Sequence, residues 1–307
     1  MDHRSEYEER INRVLDYIDA HLDGDLSLET LARVAAFSPF HFHRIFGAMM
    51  GETLQRFIQR VRLERAATNL MHHPRRPVLD IALDAGFGSA ASFARAFRQA
   101  FGMSATEWRQ RKIGQRDRKS GQPARKLGEA GAEATAYRRD MNATKLTYSV
   151  DVNQRPVTRI AYLRHVGPYA GDAALFGRLF GELANWAGPR NQLRPERHFI
   201  SIYHDNPEVT APEKLRLSVG VPVDDDVEVS GKVGAMTLEA GAYAEATFVL
   251  DGPDKYGAAW QVFMGEWLPQ SGYEPTDGLP FERYLNDPTT DPEGKHRVQL
   301  CCPVKPL

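Results

Sequence analysis

The chain lacks most of the features that mark a secreted, membrane or metal-dependent protein. It has two cysteines in 307 residues, Cys301 and Cys302. Adjacent cysteines cannot easily bridge each other, so no disulfide framework is expected. No apolar run approaches the roughly 18 residues that a membrane helix needs. The opening residues, MDHRSEYEER, are polar and hold no apolar stretch of the kind a secretory signal requires. These absences point to a reducing cytoplasm and against a membrane partner. Ser-His-Asp and phosphate-loop motifs are also missing. His41, His43, His72 and His73 form two pairs on separate expected helices, with no cysteine to join them. Neither a metal nor a cofactor is expected, and the chain is not read as an enzyme.

What is present is segmented. A formal net charge of -1 hides a basic stretch and an acidic one. Residues 31–112 carry 13 Lys and Arg against 5 Asp and Glu, whereas residues 146–307 carry 15 against 22. A basic module joined to an acidic one suits a nucleic-acid binder with a partner domain. Residues 1–112 read as helical throughout, with apolar residues at helical spacing such as Phe42, Ile45, Phe46 and Met49, or Phe93, Phe97 and Phe101. Residues 113–144 are rich in Gly, Ala and charge and read as a linker. From residue 145 onward, runs such as TRIAYLRHV, LRLSVGVPV and AYAEATFVL have strand composition, with helices expected near 173–186 and 256–268. The expected architecture is multidomain, an all-α module followed by an α+β module.

Each module contains a repeat. LARVAAFSPFHFHRIFGAMMGETLQRF aligns with IALDAGFGSAASFARAFRQAFGMSATEW, so that Ser38 meets Ser89, Phe42 meets Phe93, Arg44 meets Arg95 and Gly51 meets Gly102. Each copy reads helix, tight turn, helix. Ser38 and Ser89 are suited to cap the second helix, and Pro39 to its first turn. Gly86 supplies backbone freedom at one turn. In the second module HVGPYAGDAALFGRLF resembles VLDGPDKYGAAWQVFM, and SIYHDNP with LRLSVGVPV resembles ERYLNDP with HRVQLCCPV. That order is a duplicated βαββ unit with two halves around one groove.

On these residues the first module resembles the AraC/XylS family DNA-binding domain. The resemblance implies two recognition helices, joined by a long helix near 53–71, that enter successive major grooves. The second module resembles the GyrI-like effector-binding domain, with FERYLNDP and the closing CCPVKPL as its best matches. Together they imply a transcription regulator whose partners are double-stranded DNA and a small-molecule effector, with RNA polymerase a further candidate.

Helical geometry and the family's matching positions place Phe40, His43 and Arg44 on one reading helix, and Ala91, Ser92 and Arg95 on the other. An arginine suits guanine because its planar fork meets O6 and N7 together, and Phe40 can press on a thymine methyl. Solvated surface arginines are the plain alternative, but the shared register of Arg44 and Arg95 argues for contact. In FERYL, alternation sets Glu282 and Tyr284 on one side and Phe281, Arg283 and Leu285 on the other. The first-copy equivalent of Glu282 is Ser201, so one carboxylate is expected in the groove. With aromatic lining from Tyr169, Tyr203, Trp260, Trp267, Tyr273 and Tyr284, it suits a cationic, apolar ligand. The resemblance to the GyrI-like domain implies this role for Glu282, whereas the residues alone leave a surface carboxylate or a salt bridge with a neighbouring arginine open. Two alternatives stay open: a small-molecule hydrolase using Glu282, or a module that binds a protein such as gyrase or RNA polymerase. Arg95→Ala is expected to leave folding intact and to weaken specific binding by about 1–3 kcal/mol. Unchanged operator affinity in a gel-shift titration would contradict this.

Overall fold

The computed structural model describes residues 3–117 and 146–307 except 208 and 277, without the side chains of 3–5, 40 and 112–117. The expected linker at 113–144 lies almost wholly outside these residues. Seven helices lie before it: α1 (His3–Ala20), α2 (Leu28–Val34), α3 (Pro39–Met50), α4 (Leu54–His72), α5 (Val78–Asp84), α6 (Ala90–Phe101) and α7 (Ala105–Asp117). The two copies of the repeat are α2–α3 and α5–α6. Their second helices start alike, Ser38 accepting from His41 N and Ser89 from Ser92 N. They also end alike, at Gly51 and Gly102 with φ of 66° and 70°. The turn within each copy holds Ala36 and Gly86, both with positive φ.

α4 joins the copies physically. Leu54, Phe57 and Val61 pack into the first core with Ile18, Leu31, Phe42 and Phe46. Leu63, Ala66 and Leu70 pack into the second with Ile81, Phe93 and Phe97. A helix shared by two cores fixes the spacing between them. Met49, expected on the core face of α3, is exposed.

The later module contributes β1 (Tyr148–Arg155), β2 (Thr158–Val166), α8 (Ala173–Ala187), β3 (Ile200–Tyr203), β4 (Arg216–Pro222), β5 (Gly234–Leu238), β6 (Gly241–Leu250), α9 (Tyr256–Val262), β7 (Tyr273–Pro275), β8 (Phe281–Tyr284) and β9 (His296–Pro306). α9 continues into a wider π-helical turn at Phe263–Trp267. The strands form one antiparallel sheet in the order β1-β6-β9-β8-β3-β4-β2-β5, with β7 paired to β9. The halves β6-α9-β8-β9 and β2-α8-β3-β4 are the two βαββ copies, and they meet where β3 pairs β8. The duplication thus builds a single continuous sheet.

One face of the sheet carries both helices. α8 packs on Leu163, Leu217, Val219 and Val221, and α9 on Phe248, Val298 and Leu300. The other face meets the helical module. β4 is buried along almost its whole length, as a strand covered on both faces must be. From that face Tyr162 OH donates to Asp16 Oδ2 at 2.6 Å and Arg164 pairs with Asp16 Oδ1 at 2.7 Å. Arg216 reaches both Asp19 oxygens at 2.9–3.0 Å. Further along, Lys214 pairs with Glu52, Gly231 N donates to Glu9, and His73 lies 3.1 Å from Glu274. Among the described residues no helix is long and apolar enough to cross a membrane.

Gly86 sits where α1, α4 and the second repeat converge. A Cβ there would lie 2.4 Å from Leu22 O and 2.6 Å from Arg62 Nε, which itself donates to that carbonyl. With φ at +82° no side chain is at ease. Gly86→Ala is therefore expected to cost at least about 1–3 kcal/mol in a urea unfolding titration. A variant as stable as the parent would show that the turn relaxes freely.

Candidate functional site

Two surfaces emerge. The first is the pair of helices α3 and α6. Phe42 and Phe46 turn one face of α3 into its core, and Phe93 and Phe97 do the same for α6. His43 and Arg44 are thereby exposed on α3, as are Ala91, Arg95 and Arg98 on α6, while Ser92 is half-buried. The side chain of Phe40 lies outside the description. His43 and Ser92 both line a cleft of about 790 Å³, together with Gln55, Ile58 and Gln59 of α4. These exposed residues are not part of the contacts between the modules described above, which run through Asp16, Asp19, Glu9, Glu52 and His73.

The second surface is the seam between the two sheet halves. Ser201 on β3 and Glu282 on β8 are direct cross-strand partners. The internal duplication thus places the two equivalent side chains against each other. Two carboxylates there would repel, and the first copy offers a hydroxyl instead. Glu282 is 2% exposed. Trp260 Nε1 donates to its Oε1 at 2.8 Å and Tyr284 OH to its Oε2 at 2.7 Å. Ser201 Oγ lies 2.9 Å from the Tyr284 hydroxyl oxygen, and Tyr203 adds a further hydrogen bond to the carboxylate. Burial pushes the carboxyl above its ordinary range, and the bonds from Tyr284, Trp260 and Tyr203 only partly offset this. Burial also raises Tyr203 and Tyr284, with the facing Glu282 charge adding to it.

Rings surround the carboxylate. Tyr203 meets Tyr169 at 5.6 Å and Trp260 edge-on at 6.3 Å. Phe180 of α8 meets Tyr284 at 5.1 Å. Of the aromatics expected to line the groove, Tyr169, Tyr203, Trp260 and Tyr284 thus gather at Glu282. Trp267 instead packs 5.5 Å from Phe263, a turn further along, and Tyr273 lies on β7 against β9. Phe281 faces the opposite side of the sheet, in the cluster with Tyr162, Ile200 and Cys301, as the alternation implies. Phe180 and Tyr256 join the seam unforeseen. Phe180 belongs to the apolar stripe of α8, which gives no sign of which neighbour it meets. Cys301 and Cys302 are buried thiols pushed up to about 12, which makes them poor nucleophiles at neutral pH. Among the described residues no three His, Cys, Asp or Glu side chains are placed to hold a metal.

No motif in the sequence singles out the acidic side chains of α1. Residues 1–30 carry nine Asp and Glu against three Lys and Arg, a concentration that would have marked α1 as a partner for basic groups elsewhere.

Residues 148–305 match the GyrI-like small molecule binding domain, and residues 31–111 a helix-turn-helix domain. A DNA gyrase inhibitor of Erwinia billingiae is 32% identical over 161 residues, 51% of this chain and 97% of its own length. The regulatory protein SoxS of Salmonella typhimurium is 31% identical over 105 residues, 34% of this chain and 97% of its own. An uncharacterized HTH-type regulator of Bacillus subtilis, YbfP, is 35% identical over 103 residues, and the match spans only 35% of its length. Among solved structures, the C-terminal domain of EcmrR aligns with 52% of this chain and 99% of its own, at 17% identity and a TM-score of 0.42.

A buried carboxyl with a raised pKa binds its proton more tightly in the folded than in the unfolded chain. The stability it contributes is present in acid and is lost as pH rises through its folded pKa. Glu282→Gln, which keeps the shape and removes the charge, is expected to raise the melting temperature at mildly alkaline pH and to change it little in acid. Each unit by which the pKa is raised corresponds to about 1.4 kcal/mol. A variant less stable than the parent in alkali would contradict the assignment.

Proposed function

Since the chain belongs to the GyrI-like small-molecule-binding family and is an AraC-type DNA-binding regulator by its helix-turn-helix module, we propose that it reads two successive major grooves under the control of a small cationic ligand. Residues 1–112 form the DNA-binding module and residues 145–307 the sensor. α3 and α6 enter the grooves. Arg44 and Arg95 carry the direct contacts, with Phe40, His43, Ala91 and Ser92 beside them. Support comes from one observation: the two exposed arginines occupy the same register on two like-capped helices held apart by α4. Their guanidinium groups suit guanine edges or phosphates.

The ligand enters the seam at Glu282, among Tyr169, Tyr203, Trp260 and Tyr284. Among the described residues Glu282 is held there by the neutral donors Trp260, Tyr284 and Tyr203. A cation brings a full opposite charge to a desolvated carboxylate, and the rings can stack on its apolar part. Trp267, packed on Phe263, contributes through the packing of the π-helical turn that follows α9. Glu282 acts as a counter-charge, and no general-acid or general-base step is assigned to it. RNA polymerase is a candidate protein partner of the DNA-bound regulator. A second reading, in which the sensor binds gyrase, rests on the name of the Erwinia billingiae relative. Capture of gyrase by both the parent and Glu282→Gln would favour it.

Tryptophan quenching by tetraphenylphosphonium tests the ligand reading. Saturable binding is expected, weakened at least about tenfold by Glu282→Gln, since losing one partner of a buried charge pair costs about 2 kcal/mol or more. Equal affinity in parent and variant would remove Glu282 from the ligand site. Selection from random duplex DNA tests the other half and should return sites with two half-elements about one helical turn apart.

A further inference from the structure

We infer that the sensor is coupled to the DNA-reading module through the junction of Arg164 with Asp16 and Arg216 with Asp19, so that a ligand at the seam is reported to the helices that hold the reading helices in place. The inference rests on the ligand reading given above, and it names the route by which that site regulates DNA binding.

Three successive residues lead from the seam to the junction. Tyr203, the last residue of β3, faces Glu282 and Trp260. His204 turns to the opposite face, where its Nε2 lies 2.9 Å from Ser218 Oγ and its Nδ1 3.5 Å from Asp19. Asp205 accepts the backbone N–H of Arg216 at 2.8 Å and its guanidinium at 2.7 Å. Arg216 then reaches Asp19 on α1, and its guanidinium lies 5.6 Å from the Phe57 ring of α4. A strand end cannot shift at Tyr203 without carrying His204 and Asp205 with it.

The charges make the junction discrete. The Arg164 and Arg216 side chains are only 2% and 1% exposed. A buried guanidinium leaves its carboxylates only at a large desolvation cost, so the modules have few stable ways to sit together. Burial pushes the Asp19 carboxyl up, but Arg216, aided by His204 and Arg164, overrides it and holds the group well below the usual carboxylate range.

The chain contains its own control. In the second copy Asn286 and Arg297 occupy the places of Asp205 and Arg216. Asn286 accepts Arg297 N at the same 2.8 Å, so the corner of the backbone is common to both copies. Yet the Arg297 side chain is 50% exposed and meets only Asp291, at 3.5 Å. The buried arginine held between two carboxylates belongs to the copy on which the DNA module docks.

The test uses the full chain, tetraphenylphosphonium as probe and the tightest duplex recovered from a random pool. In the parent the probe should change duplex affinity at least about fivefold, and the duplex should change probe affinity by the same factor. In Asp16→Asn/Asp19→Asn each partner alone should bind within about twofold of the parent, while the coupling factor falls to about one. Coupling retained in the variant overturns the inference, as does probe binding by the parent that leaves duplex affinity unchanged. A parent that binds no probe loses the ligand reading itself, and this inference with it. Should the variant fail to fold, hydrogen exchange on the parent decides. The probe should alter protection in residues 9–20 and 54–72. Unaltered protection there, alongside a changed duplex affinity, overturns the route.

Discussion

A guanidinium taken out of water must bring its counter-charges with it. Arg216 is the largest fully buried side chain described, and it is placed between Asp205 of its own module and Asp19 of the other. Leaving either carboxylate behind would cost several kcal/mol, so the pairing demands that α1, β3 and β4 meet at one point. Other features follow from that meeting. The sheet is covered on both faces, by α8 and α9 on one side and by the helical module on the other. β4 is buried along almost its whole length for that reason, with Arg216 and Ser218 on the face toward the helical module. The sensor holds the DNA module through α1 and α4, which leaves Arg44 and Arg95 exposed on α3 and α6.

Duplication supplies the parts, and divergence between copies supplies the chemistry. The halves of the sheet meet at β3 and β8, where symmetry alone would set two identical side chains face to face. Ser201 and Glu282 break that symmetry and leave one buried charge ringed by tyrosine and tryptophan. The outer corners diverge as well. One holds a buried arginine between carboxylates and the other a solvated arginine. The helical repeat shows the same habit in its turns: Gly86 lies against Leu22 and Arg62, whereas Ala36 takes up a positive φ with a side chain.

Much of this was legible in the chain itself. Local signals carried it: serine caps three residues before the bonded N–H, glycines at helix ends, the 3.6-residue stripes of phenylalanine, and the period-two alternation of FERYL. Each acts within a few residues, so each survives in the sequence. Glu282 is pointed to by the alternation of FERYL together with the resemblance to the GyrI-like domain, and its aromatic neighbours by residue type, while the repeat shows a serine, Ser201, where the other copy has the carboxylate. Residue type alone points to Trp267 as well, although it lies at the end of the π-helical turn, against Phe263. The docking of the modules was not legible. Asp19 and Arg216 are 197 positions apart, and no period links them. Only the acidity of the first thirty residues hints that α1 seeks a basic surface.

A double-mutant cycle on Asp19 and Arg216 tests this junction most directly, read as unfolding free energies of the full chain in urea. Docking through α1 predicts that Asp19→Ala and Arg216→Ala each destabilise by about 3–5 kcal/mol. It also predicts that the double variant costs well below their sum, with an interaction energy of at least about 1.5 kcal/mol. Costs that add within about 0.5 kcal/mol would contradict it.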